Sequence, residues 1–155
     1  EPVSMSLRAL IEGNVEPLAP QAAGKSIKLD VKCADDLTIL ATRDLGNLVL
    51  SNLLSNAVKY SPAGSTVTVS AVREAEEICL EVKDHGIGMS PEEMEHLFEE
   101  FYRTRRAREI ERDGTGLGLS VVYGIVERHN GRVAVESEPG NGTLFTIRLP
   151  VAKSS

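Results

Sequence analysis

Asn52-Leu53-Leu54-Ser55-Asn56-Ala57-Val58-Lys59-Tyr60 closes an apolar periodic run that starts at Leu45 and stops before Pro62. The spacing predicts one helix over Leu45 to Tyr60, with Thr42 or Asp44 as its cap and Ala63-Gly64 as the turn that follows. At about 100° per residue, Asn52, Asn56 and Lys59 fall within about 60° of one another, at the margin of the stripe made by Val49, Leu53 and Ala57. Asn is a poor mid-helix residue because its side chain competes for backbone hydrogen bonds, so two of them one turn apart call for a reason. An amide oxygen is a hard, neutral ligand suited to Mg²⁺ that already carries phosphate oxygens and waters, and Lys59 adds positive charge nearby. Two solvated or helix-contact asparagines would account for the same pattern.

Downstream, Thr66 to Arg73 and Glu77 to Asp84 alternate with period two and are joined by Glu74-Ala75-Glu76, the signature of a β-hairpin. The second strand runs into Asp84-His85-Gly86-Ile87-Gly88-Met89. A carboxylate at a strand end can only accept hydrogen bonds, so Asp84 suits the exocyclic amino group of adenine and opposes the carbonyl of guanine. Gly86 and Gly88 let the backbone pass close under a base, although an Asp-Gly turn after a strand is common in its own right. Ser90-Pro91-Glu92-Glu93 starts a short helix that ends near Phe98. Tyr102 to Gly116 holds Arg103, Arg105, Arg106, Arg108 and Arg112 with almost no apolar residue, a composition that cannot supply core.

Asp113-Gly114-Thr115-Gly116-Leu117-Gly118-Leu119-Ser120 then leads into a helix over Leu117 to Asn130, closed by Gly131 at C′. Glycines at the positive end of a helix allow successive backbone N–H groups to face an anion. The run lacks the Gly-Lys-Ser/Thr of a P-loop, and it follows a long polar loop where a dinucleotide fingerprint would follow a strand. Arg132 to Glu138 and Thr143 to Leu149 form a last hairpin around Pro139-Gly140-Asn141-Gly142. Upstream, Leu7 to Ala23 has a loose helical pattern that Pro17 and Pro20 should cut short, and Ile27 to Lys32 alternates like a strand.

The 155 residues suit a single core. With 17 Lys+Arg against 23 Asp+Glu, the net charge of −6 argues against a general electrostatic grip on nucleic acid or acidic lipid. A bound polyanion therefore needs a local cradle. Cys33 and Cys79 stand apart without a CxxC or a secretory leader, which fits a reducing compartment. No apolar run approaches the roughly 20 residues that span a bilayer, and the chain, opening at Glu1, reads as an excised soluble piece of something longer.

In order, NLLSNAVKY, DHGIGM, LFEEFYR, GTGLGLS and GTLFTI resemble the N, G1, F, G2 and final glycine-threonine boxes of sensor histidine kinase catalytic domains. That family belongs to an ATP-binding superfamily shared with DNA gyrase and the heat-shock chaperones. The resemblance covers Leu45 to Leu149, and the first forty-odd residues look like the family's leading helix and strand. It implies the α/β (α+β) two-layer sandwich of the Bergerat ATP-binding fold: a mixed, mostly antiparallel sheet of about five main strands with about three helices on one face.

Carried over residue by residue, it implies that Asn56 is the Mg²⁺ ligand, that Asn52 supports the metal or phosphates, and that Lys59 and Arg103 face phosphate. Tyr60 would pack on the nucleoside, Asp84 would bond the adenine amino group, and Thr143 would lie near it through water. Gly114, Gly116, Leu117 and Gly118 would offer backbone donors. Gly86, Ile87, Gly88, Met89, Phe101, Tyr102, Thr115 and Leu119, in the same boxes, would complete the ATP contacts. Residues 99–115 would form the ATP lid, and residues 1–24 a leading segment after an absent dimerisation and phosphoacceptor domain, making 1–155 one ATP-binding catalytic domain. His85 stands where the family most often has Asn.

Hydrolytic members of the superfamily place a Glu one turn before the metal-binding Asn, where it acts as general base on water. Here that position is Asn52, and an amide takes no proton near neutral pH. The expected activity is protein-histidine kinase, with an acceptor histidine on the chain's own missing domain, a downstream response regulator, and a cytoplasmic site of action without nucleic-acid or direct membrane contact. His85, His96 and His129 lack the setting of an acceptor. An ATPase conformational switch and a non-catalytic nucleotide-binding or docking module are the alternatives.

Overall fold

A computed structural model describes residues 2–34, 36–86, 122 and 124–152. In chain order they form β1 (Val3–Ser6), α1 (Leu7–Val15), a 3₁₀ turn (Glu16–Leu18), α2 (Ala19–Gly24), β2 (Lys28–Cys33), β3 (Thr38–Ala41), a π-type turn (Leu45–Leu50) leading into α3 (Ser51–Tyr60), β4 (Thr66–Glu74) and β5 (Glu77–Lys83). A helix with described residues 122 and 124–128 precedes β6 (Arg132–Ser137) and β7 (Thr143–Pro150). The predicted helix over 90–98 and the arginine-rich stretch lie outside the described residues.

The main sheet has the order β2-β4-β5-β7-β6. Only β2 and β4 run parallel, and the β4–β5, β5–β7 and β7–β6 pairs are antiparallel. This is the mixed, mostly antiparallel five-stranded sheet that the resemblance implies. A second, two-stranded sheet pairs β1 with β3, a feature the periodicity does not reveal because each strand is four residues long. Ile39 ties β3 by a single bridge to Val151, the residue just past β7.

Alternation along the strands decides which face is covered. Val67, Val69 and Ala71 of β4, Ile78, Leu80 and Val82 of β5, and Phe145, Ile147 and Leu149 of β7 are buried. They share one core with Leu7 and Ile11 of α1, Leu53, Leu54, Ala57 and Val58 of α3, and Val122, Ile125 and Val126 of the helix before β6. Such one-sided burial is what period-two patterning produces when helices cover a single face. The opposite face is polar, and ion pairs cross its strands at Arg148–Glu74 (2.5 Å) and Arg132–Glu77 (3.0 Å).

Four local expectations need correction. Pro17 cuts the first α-helix short at Val15 as expected, but the chain stays helical in two further pieces to Gly24, because each proline sits in the first two positions of a new piece, where an N–H is dispensable. Neither candidate cap uses its side chain on the helix of Asn52: Asp44 already has helical backbone angles, and Thr42 accepts the Leu45 N–H through its carbonyl (3.2 Å). That helix also opens as a π turn, with the Ser51 N–H reaching back to the Gly46 carbonyl. A Cβ on Gly46 would lie 2.6 Å from Leu10, so α1 packs directly on the backbone of this turn.

The helix before β6 closes one residue earlier than expected. Asn130, at φ 62°, takes the left-handed C′ position, and Gly131 is C″, its N–H bonded to the Val126 carbonyl (2.9 Å) while the Asn130 N–H bonds to Glu127 (3.0 Å). Gly131 is needed for another reason: a Cβ there would fall 2.4 Å from the Arg148 carbonyl of β7. His129 fastens the same helix end. Its Nδ1 lies 2.8 Å from the Ile125 carbonyl and its Nε2 accepts the Thr42 N–H at 3.1 Å, a pairing that puts the ring proton on Nδ1.

Candidate functional site

Two structural elements bring the sequence-predicted polar residues to the core's edge. α3 packs across β5, turning Leu53, Leu54, Ala57 and Val58 inward. Asn52 and Asn56 are therefore half-buried at the margin of that face, and Lys59, one turn on, is exposed. The amide Nδ2 of Asn52 donates to the Leu48 carbonyl at 2.6 Å, which satisfies the mid-helix side chain locally and leaves its oxygen as an acceptor. Tyr60 ends α3, but its side chain is outside the described residues.

Asp84 stands where β5 leaves the sheet. Its N–H still donates to the Thr143 carbonyl (3.0 Å), continuing the β5–β7 ladder by one residue beyond Lys83 and Leu144. The return bond does not reach its carbonyl: the Thr143 N–H donates to Oδ1 of the side chain (3.2 Å), and so does the Gly86 N–H (2.8 Å). Oδ1 is thus fixed by two backbone donors, whereas Oδ2 has none among the described residues. The residue is only 8% exposed. Burial raises its carboxyl pKa above the usual range, opposed by the two backbone donors and by His85.

The partner strand end is built to match. Ser137 Oγ donates to the Gly142 carbonyl (2.8 Å) and lies 2.9 Å from Thr143 Oγ1, tying β6 to the first residue of β7. Gly142 has φ +85°, and a Cβ on it would sit 2.2 Å from the Asp84 carbonyl oxygen and 2.8 Å from His85 Cα. In the sequence Gly142 reads as a turn residue with no link to the site. Its signal, a glycine immediately before Thr143, is indistinguishable from ordinary turn chemistry. The resemblance implies a water-mediated role for Thr143 beside Asp84; its backbone bonds the carboxylate directly.

Of the other predicted site residues, Gly86 is the donor just described, while Ile87, Gly88, Met89, Phe101, Tyr102, Arg103, Gly114, Thr115, Gly116, Leu117, Gly118 and Leu119 lie outside the described residues. A shallow cleft of about 250 Å³ opens beside Asp84, Gly142 and Thr143. A larger hollow, about 480 Å³, lies among Leu40, Thr42, Ile125, His129, Leu149 and Val151, away from Asp84 and α3. Size alone would favour the second, but Asp84 lines the first. Among the described residues no three His, Cys, Asp or Glu side chains converge as a metal site.

A family model described as Histidine kinase-, DNA gyrase B-, and HSP90-like ATPase matches residues 41–153. The sensor-like histidine kinase SenX3 of Mycobacterium tuberculosis is 40% identical over 129 residues, 83% of this chain and 32% of that protein. This chain thus spans about a third of that relative's length. The mycobacterial sensor histidine kinase MprB has a solved structure similar at a TM-score of 0.81 and 24% identity, covering 99% of this chain and 100% of that one, a likeness of fold. Full-length ShkA, solved in complex with AMPPNP, is similar at a TM-score of 0.80 and 29% identity, covering 100% of this chain and 32% of that one.

Proposed function

Because the chain belongs to the family of histidine kinase-, DNA gyrase B- and HSP90-like ATPases, we propose that it binds Mg-ATP and donates the γ-phosphate to a histidine on a separate dimerisation and phosphoacceptor domain. Asp84 carries this reading. A buried carboxylate with Oδ1 held by the Gly86 and Thr143 N–H groups keeps Oδ2 as a pre-oriented acceptor for the adenine amino group. The AMPPNP bound to ShkA is an ATP-like ligand on a relative of the same fold.

On α3, the Asn56 amide oxygen is the hard donor offered to Mg²⁺, with Lys59 toward the phosphates and Asn52 in support. Mg²⁺ is commonly held by one or two protein ligands and completed by phosphates and water, so one amide fits the role without a carboxylate cluster. When bound, the ion supplies charge neutralisation at the transferred phosphoryl group. Asn52 cannot serve as general base, so this side of the site positions ATP for an incoming imidazole without activating water. Arg103, the Gly114–Leu119 run and residues 99–115 as lid complete the assignment, with a response regulator as downstream acceptor at a cytoplasmic location. No helix among the described residues is long and apolar enough to cross a membrane.

Incubation with γ-labelled ATP and Mg²⁺ tests the reading. Label should pass to a histidine-bearing helical hairpin from a sensor kinase when that partner is added, and the chain alone should stay unlabelled with little ADP formed. Rapid ADP release without the hairpin would move the protein to the ATPase class.

The raised Asp84 pKa gives a pH prediction. As pH falls through that raised native value, the carboxylate gains a proton and turns a donor toward the adenine amino group, so ATP affinity should decline by up to about tenfold per pH unit. The fall should start above the ordinary carboxylate value of 3.8 and be absent in Asp84→Asn. Stability has the opposite sign: the native state holds this proton more tightly than the unfolded chain, so the contribution of Asp84 is greatest below 3.8 and is lost as pH rises through the native value. Equilibrium titrations and melts across pH read both.

A further inference from the structure

α3 ends abruptly. Ser61 leaves the helix in an extended conformation (φ −82°, ψ 142°), so no left-handed cap folds back on the last turn. Pro62 has no N–H to offer the Val58 carbonyl, and the buried Ser61 hydroxyl has no hydrogen-bond partner among the described residues. The carbonyls are served from another part of the chain. Lys25, half-buried at the end of α2, places Nζ 3.0 Å from the Val58 carbonyl and 2.9 Å from that of Lys59. Two backbone bonds stitch the same segments together, from the Gly64 N–H to the Lys25 carbonyl (2.9 Å) and from the Lys28 N–H to the Ser65 carbonyl (3.0 Å).

A helix C-terminus carries about half a negative charge, concentrated on such carbonyls. Asn56 and Lys59 stand on the last turns of α3, so a polyphosphate approaching them meets the repulsive end of the helix. We propose that Lys25 is a positioning residue of the nucleotide site, whose ammonium caps the Val58 and Lys59 carbonyls and offsets the negative helix end facing the phosphates. This rests on the assignment of phosphates to the Asn56–Lys59 edge. A cap of this kind acts on ligand charge, whereas a purely structural tether acts on all ligands alike.

Dissociation constants of ATP, ADP and adenosine, each with Mg²⁺, measured on the 155-residue chain and on Lys25→Gln and Lys25→Arg, separate the two. Lys25→Gln keeps a hydrogen-bond donor but removes the charge. It should weaken ATP by about three- to five-fold and ADP by less, leave adenosine unchanged, and lose its effect at high salt. Lys25→Arg should stay near wild type. Equal losses for ATP and adenosine, or no loss for ATP, overturn the electrostatic role. A wild-type chain that binds adenosine as well as ATP overturns the phosphate assignment and the cap together. Should Lys25→Gln unfold, Lys25→Met, which keeps the aliphatic stem, carries the same comparison.

Discussion

Asp84→Asn is expected to weaken ATP binding by on the order of 10- to 100-fold, the range set by losing one hydrogen bond to a charged group. The substitution is nearly isosteric. Its amide oxygen can still accept from Gly86 and Thr143, which hold Oδ1 at 2.8 and 3.2 Å, so the strand end should keep its shape. What changes is Oδ2, replaced by an NH₂ that meets the adenine amino group donor to donor. The same NH₂ suits the guanine carbonyl, so the preference for ATP over GTP should collapse along with affinity. Because burial disfavours the charged carboxyl, the variant should melt no lower than wild type near neutral pH. Calorimetric titration with both nucleotides, alongside a melt, decides it; undiminished ATP affinity would remove Asp84 from the adenine site.

How far the sequence reaches is clear from individual residues. Val67, Val69 and Ala71 against Ile78, Leu80 and Val82 announce a hairpin because a sheet covered on one face imposes a strict period of two. β1 and β3 escape notice since four residues cannot establish a period, and their pairing joins positions from Val3 to Ala41 that share no local signal. Asn52, Asn56 and Asp84 are legible because each is chemically out of place, an amide inside a helix or a carboxylate closing an apolar strand. Lys25 and Gly142 are not. Lys25 acts on a carbonyl 34 residues away, and the constraint on Gly142 comes from the backbone of Asp84, so neither meaning exists before the fold does.

Gly142→Ala is therefore the sharpest test of how the carboxylate is held. The new methyl would start 2.2 Å from the Asp84 carbonyl oxygen and 2.8 Å from His85 Cα, and both neighbours are backbone, which cannot swing aside as a side chain would. Its φ of +85° adds a conformational cost, and together the two should destabilise the chain by on the order of 3–5 kcal/mol. Gly140 separates the contributions. It has almost the same φ, +83°, but a Cβ there meets nothing within 4 Å, so Gly140→Ala should cost only about 1–2 kcal/mol and leave ATP binding intact. In Gly142→Ala the overlap must be relieved by moving β5 and β7 apart at Asp84, which breaks the Thr143 bonds to its carboxylate and backbone. ATP affinity should then fall further than the loss of stability alone explains, even at temperatures where the variant is fully folded. Were the two alanine variants to unfold at the same urea concentration and bind ATP equally well, close packing of the strand ends would not be what orients Asp84, and its two backbone donors would have to suffice.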